Sequence, residues 1–356
     1  MFYGVDLHSD NVKAAMLGEE ENTPRTIRCS FDSEFFQRFL EGLTTEDYIA
    51  VEVSTNTFWF YDLVVERVKE CIVIDPYQFA IISKSMIKTD KRDAIHLARF
   101  LKYAVMTGEK LPAVYVPSKE VRELRRLFAT HEFLKKQNVM NKNRIHSLLK
   151  QNGYKYPKES LDKKGVRQSI FELPLNDTLK MELGLIYDNV ERLTEMLKIM
   201  KEEILVKGKI FRKEIEILTS IKGISAYMAI GIMSDVVDVN RFSNVKRFCS
   251  YLRSAPKVDS SNQTTRIGRI NRQARKLSMN LLIESMTHFK SCEKFAKFYD
   301  KKKIGKSAGK VRIAMVRKVL VAIYYMLKKK EYFYYVDKAY HHNKIVSYEK
   351  YLKKIA

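Results

Sequence analysis

The chain has 356 residues, 46% of them apolar, which is enough for two or three domains with real cores. Lys and Arg number 65 against 42 Asp and Glu, giving a formal net charge of +23 and a sequence pI of about 9.6. That excess predicts a polyanionic partner, nucleic acid first and an anionic membrane surface second. No apolar run approaches the ~20 residues that span a bilayer. The N-terminus enters a strand pattern at once, which predicts no secretory signal. The cysteines Cys29, Cys71, Cys249 and Cys292 are scattered without a C-x-x-C pair, which points to reduced thiols in a cytoplasmic protein and away from a zinc site.

Residues 1–117 read as α/β. Short apolar runs at 2–7, 11–17, 48–53, 71–75 and 113–116 have the look of strands. The first two are separated by His8-Ser9-Asp10-Asn11, a turn-like stretch, so a hairpin is expected. From Asp90 the pattern turns helical, with Ala94, Leu97, Ala98 and Leu101 at i, i+3, i+4 and i+7.

Residues 118–210 form a second region. Leu124, Leu127, His131, Leu134, Asn138, Asn141, Ile145 and Leu148 alternate in steps of 3 and 4, and so do Leu183, Ile186, Val190, Leu193, Leu197, Met200 and Ile204. These heptads predict two long helices in a coiled coil, paired with each other or with a second copy of the chain. A polar break holding Gly153, Pro157, Gly165 and Pro174 separates them.

Residues 211–335 read as a basic helical domain and 336–356 as a basic tail. The stretch Leu218 to Ser225, with Gly223 inside it, resembles a helix-hairpin-helix turn, where a glycine lets backbone amides meet a phosphate. A polar loop is expected from Ser254 to Ile270. Arg266, Arg269, Arg272, Arg275 and Lys276 follow one another with no acidic residue between them and are the better phosphate-binding candidates. Lysines such as Lys301, Lys302 and Lys303 suit a solvated face. Tyr332, Phe333, Tyr334 and Tyr335 could stack on bases or pack in a core. Gly305 to Lys310 is one residue short of a P-loop and is followed by Val311, so a flexible basic loop is expected there.

Four carboxylates carry the chemistry. Asp6 and Glu52 each interrupt an apolar strand-like run, and Asp90 and Asp93 share a face in the first turn of the predicted helix. A buried carboxylate needs a partner or a metal. Two-metal phosphoryl transfer needs oxygen ligands that hold two Mg²⁺ ions about 3.5–4 Å apart. Taken singly, each has an ordinary reading. Asp90 and Asp93 could cap a helix, and Glu52 could end a strand in solvent. All four in this order favour the metal site.

These segments resemble the DEDD transposases of bacterial insertion sequences, a family that includes the Piv-type DNA invertases and the bridge-RNA-guided recombinases. Gly4-Val5-Asp6 matches its Gly-hydrophobic-Asp strand. Lys88-Thr89-Asp90, Asp93-Ala94 and Leu97-Ala98 match its second motif, and Val73 to Gln78 resembles the segment before it. The resemblance implies a RuvC-like, RNase-H-type N-terminal domain with Asp6, Glu52, Asp90 and Asp93 as metal ligands. The run from Glu52 to Trp59 departs from the family, lacking a glycine and holding one residue more.

The resemblance extends to the C-terminal region, where the family carries a catalytic serine in a polar loop. Aligning on Thr265 to Ile270 places Ser261 at that serine, with Ser260 the rival by one position. Asn262 stands where the family has glycine, and Gln273-Ala274-Arg275 replaces its later Gly-Asn pair. The implied protein is a DNA recombinase that cuts and rejoins donor and target DNA with Mg²⁺ and a serine nucleophile. It would work as a dimer or tetramer in the nucleoid, guided by a structured bridge RNA in the guided branch of the family. The other readings are a RuvC-like endonuclease or junction resolvase that uses water, and a nucleic-acid-binding protein with a decayed site.

Overall fold

The computed structural model describes residues 1–83, 90–261, 264–270 and 274–355, with the backbone alone at 80–83, 90–92, 257–261, 264–267, 269 and 355. The chain divides into two compact units, Met1–Pro117 and Ser118–Ala356.

The first unit contains β1 (Phe2–Leu7), β2 (Asn11–Leu17), β3 (Arg25–Ser30), α1 (Glu34–Glu41), β4 (Tyr48–Glu52), α2 (Thr57–Val64), β5 (Glu70–Ile74), α3 (Pro76–Ser83) and α4 (Asp90–Thr107). The sheet order is β3-β2-β1-β4-β5. β1–β2 and β2–β3 are antiparallel, and β1–β4 and β4–β5 are parallel. This mixed five-stranded sheet agrees with the expected RNase-H-type domain. The expected hairpin forms, closed by the His8 N–H donating to Asn11 O at 2.9 Å.

Both faces of the sheet are covered, which is why β1 reads as a nearly continuous apolar run. Tyr3, Val5, Leu7, Ile49 and Val51 pack against Phe36, Phe39 and Leu40 of α1 and Phe60 and Val64 of α2. Phe2, Ala15, Leu17 and Ala50 pack on the other face against Ala94, Leu97, Ala98 and Leu101 of α4. The run at 113–116 does not become a strand. Ala113 makes a single bridge to Ile74, and the Val114 N–H donates to Val73 O at 2.7 Å.

The second unit contains α5 (Lys119–Gln151), α6 (Lys164–Phe171), α7 (Asp177–Lys207), α8 (Arg212–Thr219), α9 (Ala226–Val236), α10 (Val245–Tyr251), β6 (Pro256–Ser261), β7 (Thr264–Ile270), α11 (Leu277–Glu284), α12 (Met286–Phe289), α13 (Glu293–Lys303), α14 (Ala308–Lys329) and α15 (Lys338–Ile355). The two heptad helices, α5 and α7, pair with each other and run antiparallel. Glu123 near the start of α5 meets Lys207 at the end of α7 at 3.2 Å, and Asn138 meets Thr194 at 3.4 Å. Ile145, Leu148 and Leu149 pack with Leu179, Leu183, Tyr187 and Val190 at the far end.

At the near end Val121, Leu124 and Phe128 of α5 and Ile204 and Leu205 of α7 join the main core. That core also takes residues from α8 to α14 and Tyr348 of α15. The C-terminal tail is thus a docked helix, and the Tyr348 hydroxyl donates to Leu205 O at 2.9 Å. Between α8 and α9, Gly223 has φ 105°, and a Cβ there would meet His288 Cβ at 2.9 Å, so the turn needs glycine twice over. The Lys344 ammonium donates to the carbonyls of Thr219, Ile221 and Ile224 at 3.0, 3.2 and 3.0 Å and so caps the end of α8 from α15.

The expected polar loop at 254–270 is instead a two-stranded antiparallel hairpin, with Ser261 opposite Thr264 and Asp259 opposite Arg266. Its β-branched residues Val258, Thr264, Thr265, Ile267 and Ile270 favour a pleated ribbon over a loop.

Candidate active site

The sheet register places the first two carboxylates side by side. In the parallel pair β1–β4, Val5 lies opposite Val51, so the next position on each strand is Asp6 and Glu52. Alternation puts Gly4 and Asp6 on the same face of β1, and Ala50 and Glu52 on the same face of β4. That is the face covered by α4.

Gly4 lets α4 lie directly on β1. A Cβ at Gly4 would fall 2.1 Å from Ala94 O and 2.3 Å from Ala98 N. The helix runs opposite to β1, because Lys102 near its end donates to Gly18 O at 3.2 Å and Glu21 O at 2.9 Å, just beyond the Leu17 that pairs with Phe2. The start of α4 therefore lies at the end of β1. Two residues of strand carry the chain about 6.6 Å from Gly4 to Asp6. Four residues of helix carry it about 6 Å from Leu97 back to Asp93. Asp93 is thus level with Asp6. Asp90 opens the helix one turn further out, and its side chain lies outside the described residues.

The Asp6 side chain is 19% exposed, and His8 Nε2 stands 3.5 Å from its Oδ2. Glu52 and Asp93 are half-buried. A knot of polar side chains ties the ends of β1 and β4 together. The Asn56 amide donates to His8 O at 2.6 Å, Thr57 Oγ1 donates to Glu52 O at 2.8 Å, and the Ser54 N–H donates to Thr57 Oγ1 at 2.6 Å. This is the segment that departs from the family in sequence, and it fixes both carboxylate-bearing strand ends. Asp75, at the end of β5, is used otherwise. It accepts from the Tyr77 N–H at 2.9 Å and the Gln78 side-chain amide at 3.1 Å and caps α3.

Among the described residues no three His, Cys, Asp or Glu side chains come close enough to hold a metal ion. The backbone delivers Asp6, Glu52 and Asp93 to one end of the sheet without closing them into a cage. Oxygen donors at half-buried positions are nonetheless the donor set that Mg²⁺ takes.

In the second unit Ser261 is the last residue of β6, and Ser260 lies opposite Thr265. Arg266 and Arg269 lie on β7, with side chains outside the described residues, as is all of Arg272. Arg275 and Lys276 are exposed just before α11. The root of the hairpin is firmly held. The Arg275 N–H donates to Tyr251 O at 3.0 Å, and Ser254 Oγ donates to Cys249 O at 2.7 Å. Asp235, only 2% exposed, accepts from the Ser278 N–H and hydroxyl at 3.0 and 2.8 Å. Asp235, Arg125, Arg241 and Tyr251 gather at this root and carried no motif in the sequence.

Comparison with known proteins fits both units. A DEDD model of the IS110 type, described as Transposase, matches residues 3–153. A second, described as Transposase IS116/IS110/IS902 family, matches residues 215–300. The chain thus carries IS110-family transposase domains. It is 24% identical over 241 residues to “Putative transposase y4qE” of Sinorhizobium fredii, covering 67% of this chain and 57% of that protein. The chain therefore spans about 57% of the length of this curated relative.

Proposed function

We propose that this chain is a DNA transposase that cuts and rejoins donor and target DNA. The observation that carries the reading is the placement of Asp6, Glu52 and Asp93 at one end of an RNase-H-type sheet, with α4 held there by Gly4. Asp6, Glu52, Asp90 and Asp93 would hold Mg²⁺, which supplies positive charge to a phosphodiester under attack. His8 beside Asp6 and the Asn56–His8 and Thr57–Glu52 bonds would keep the carboxylates oriented.

Ser261 is the proposed nucleophile. Its Oγ would form a bond to phosphorus as one P–O bond to deoxyribose breaks, and the hydroxyl proton would pass to the departing oxygen. The phosphoserine link keeps the bond energy for rejoining. Arg266, Arg269, Arg272, Arg275 and Lys276 would bind backbone phosphates around this hairpin.

A structured bridge RNA is proposed to choose the DNA sites by base pairing. If pairing specifies the sites, the protein need only read backbone and shape, which suits a net charge of +23. A dimer or tetramer is proposed because strand exchange joins several DNA ends. Phe133 and Met140 on the helical pair, 58% and 68% exposed, are apolar surface for such contacts. Among the described residues no helix is long and apolar enough to cross a membrane.

A covalent-trapping assay tests the mechanism. The protein, with any flanking RNA and labelled junction DNA, is incubated with Mg²⁺, denatured and resolved on a gel. A protein–DNA band lost in Ser261→Ala and Asp6→Ala but kept in Ser260→Ala supports the serine mechanism. Cleaved DNA with no covalent band, unaffected by Ser261→Ala, would leave a RuvC-like endonuclease that uses water.

A further inference from the structure

Three arginines from separate parts of the second unit crowd around one tyrosine at the root of the serine hairpin. Arg125 comes from α5, Arg241 follows α9, and Arg275 follows the hairpin, while Tyr251 closes α10 just before it. The Arg241 guanidinium lies 4.3 Å from the centre of the Tyr251 ring, and the Arg275 N–H bonds the Tyr251 carbonyl. Burial alone would push the Tyr251 phenol up. The charges of Arg241, Arg275 and Arg125 outweigh it and hold the phenol below the usual tyrosine range. The arginines also act on one another, since burial first, then Arg275 and Arg241, pull Arg125 below its usual range.

Crowding like charges, two of them half-buried, is unfavourable unless something offsets it. Among the described residues the carboxylate in the group, Asp235, is a weak offset. Burial raises its pKa, and its Oδ2 is already engaged by Ser278. The end of α9 is another. Arg125 Nε donates to Ser234 O at 2.7 Å and its Nη2 to Asp235 O at 3.2 Å. Arg241 Nε donates to Val236 O at 2.9 Å and its Nη2 to Asp235 O at 3.2 Å. A helix C-terminus carries only about half a negative charge, shared here between two guanidiniums.

The backbone at this spot is strained as well. Val237 has φ 59° and ψ −70°, and the Asp238 N–H donates to Val236 O at 2.8 Å. That is a γ-turn of the rare hand, on a β-branched residue that seldom visits positive φ. Strain of this kind gathers where function requires a fixed geometry.

We propose that Arg125, Arg241 and Arg275 form a phosphate subsite that seats a nucleic-acid backbone phosphate at the root of the hairpin carrying Ser261. The subsite rests on the nucleic-acid reading above. Arginine forks match phosphate oxygens, and the guanidinium sheds water more readily than an ammonium. Five strand steps from Pro256 to Ser261 cover about 17 Å, or about five nucleotides of B-form duplex. The seated phosphate therefore belongs to the flanking strand rather than to the reacting step.

The full-length protein tests this in titrations against labelled duplex DNA and, separately, labelled RNA, between about 50 and 200 mM salt. Arg275→Gln is the principal variant because Arg275 is exposed and bonds the root through its backbone N–H, which the substitution keeps. Arg125→Gln is the second, with melting temperatures measured for both. On the polymer that occupies the subsite, Arg275→Gln should weaken binding about three- to tenfold and flatten the plot of log affinity against log salt by about one. Arg275→Lys should keep the slope and lose part of the affinity.

Loss on DNA alone or RNA alone identifies the source of the phosphate. Unchanged affinity and slope on both polymers in Arg275→Gln would overturn the subsite and leave Arg125 and Arg241 as caps of α9. Should Arg125→Gln melt early, Arg275→Gln decides alone. The transposase reading fails separately, if wild type binds nucleic acid with a normal slope yet cuts no DNA.

Discussion

Gly4 and Ala94 touch backbone to backbone, so closely that a single methyl group on Gly4 would lie 2.1 Å from the Ala94 carbonyl oxygen. The second obstacle, Ala98 N at 2.3 Å, is also backbone, so no side chain can rotate away. Gly4→Ala must lift α4 off the sheet and carry Asp93 with it. We predict a destabilisation of about 3 kcal/mol, read as a lower urea midpoint, with loss of Mg²⁺-dependent DNA cleavage.

Replacing the carboxylates separates chemistry from folding. Asp6→Asn, Glu52→Gln and Asp93→Asn should each lower DNA cleavage by about 10²-fold or more while leaving the melting temperature nearly unchanged. Chelation of divalent metal should reproduce the loss in wild type, and added Mg²⁺ should reverse it. Full cleavage by Asp93→Asn would remove α4 from the site.

Asn56 acts on the site only through position. Its amide holds the His8 carbonyl at 2.6 Å across the ends of β4 and β1. Asn56→Ala should lower the cleavage rate about tenfold with substrate affinity unchanged, because small displacements of reacting groups are costly. An equal fall in binding and rate would assign Asn56 to DNA contact instead.

The helical pair carries one buried polar layer. Asn138 is 8% exposed, bonds Thr194 through its amide, and among the described residues its Oδ1 has no hydrogen-bond partner. Asn138→Leu should stabilise the pair by about 1 kcal/mol in thermal melting, by removing an unsatisfied acceptor. The same change should loosen the register. A lower melting temperature would show that the amide is better satisfied than its neighbours indicate.

His131 sets a pH dependence. Its Nδ1 lies 3.0 Å from the Tyr227 hydroxyl, whose pKa burial pushes well above the usual tyrosine range, so the phenol stays a donor. Burial first, then Lys135 and Lys201, lower the His131 pKa, with Glu284 opposing. In the unfolded chain the imidazole takes its proton near pH 6.5. A depressed folded value means the stability it contributes is full above that pH and lost as pH falls through the lower folded value. Urea midpoints of wild type should fall between about pH 7 and pH 5 more steeply than those of His131→Gln.

Much of the first unit was legible because its signals are local. Asp6 and Glu52 stood out against apolar runs, and Ala94, Leu97, Ala98 and Leu101 spelled a helix face that does pack in the core. β3 was not legible. It is an edge strand whose inward face carries only Ile27 and Cys29, set between the exposed Thr26, Arg28 and Ser30, so its alternation is too short and too polar to stand out. The β6–β7 hairpin was hidden by a polar composition that suits a loop equally well. Arg125 sits among Arg122 and Arg126 on one helix, and only the fold separates it from them. Nothing in the sequence marks Val237 as strained.

The polar layer at Asn138 and Thr194 also makes α5 and α7 a ruler. α5 runs 33 residues, about 50 Å, from the main core to the cluster around Leu161 and Ile170. Sliding one helix past the other by a turn would leave Asn138 facing apolar side chains, so the arm has one length. Its reach is written in residue count, and excising seven residues from each helix, in register, would draw the tip in by about 10 Å.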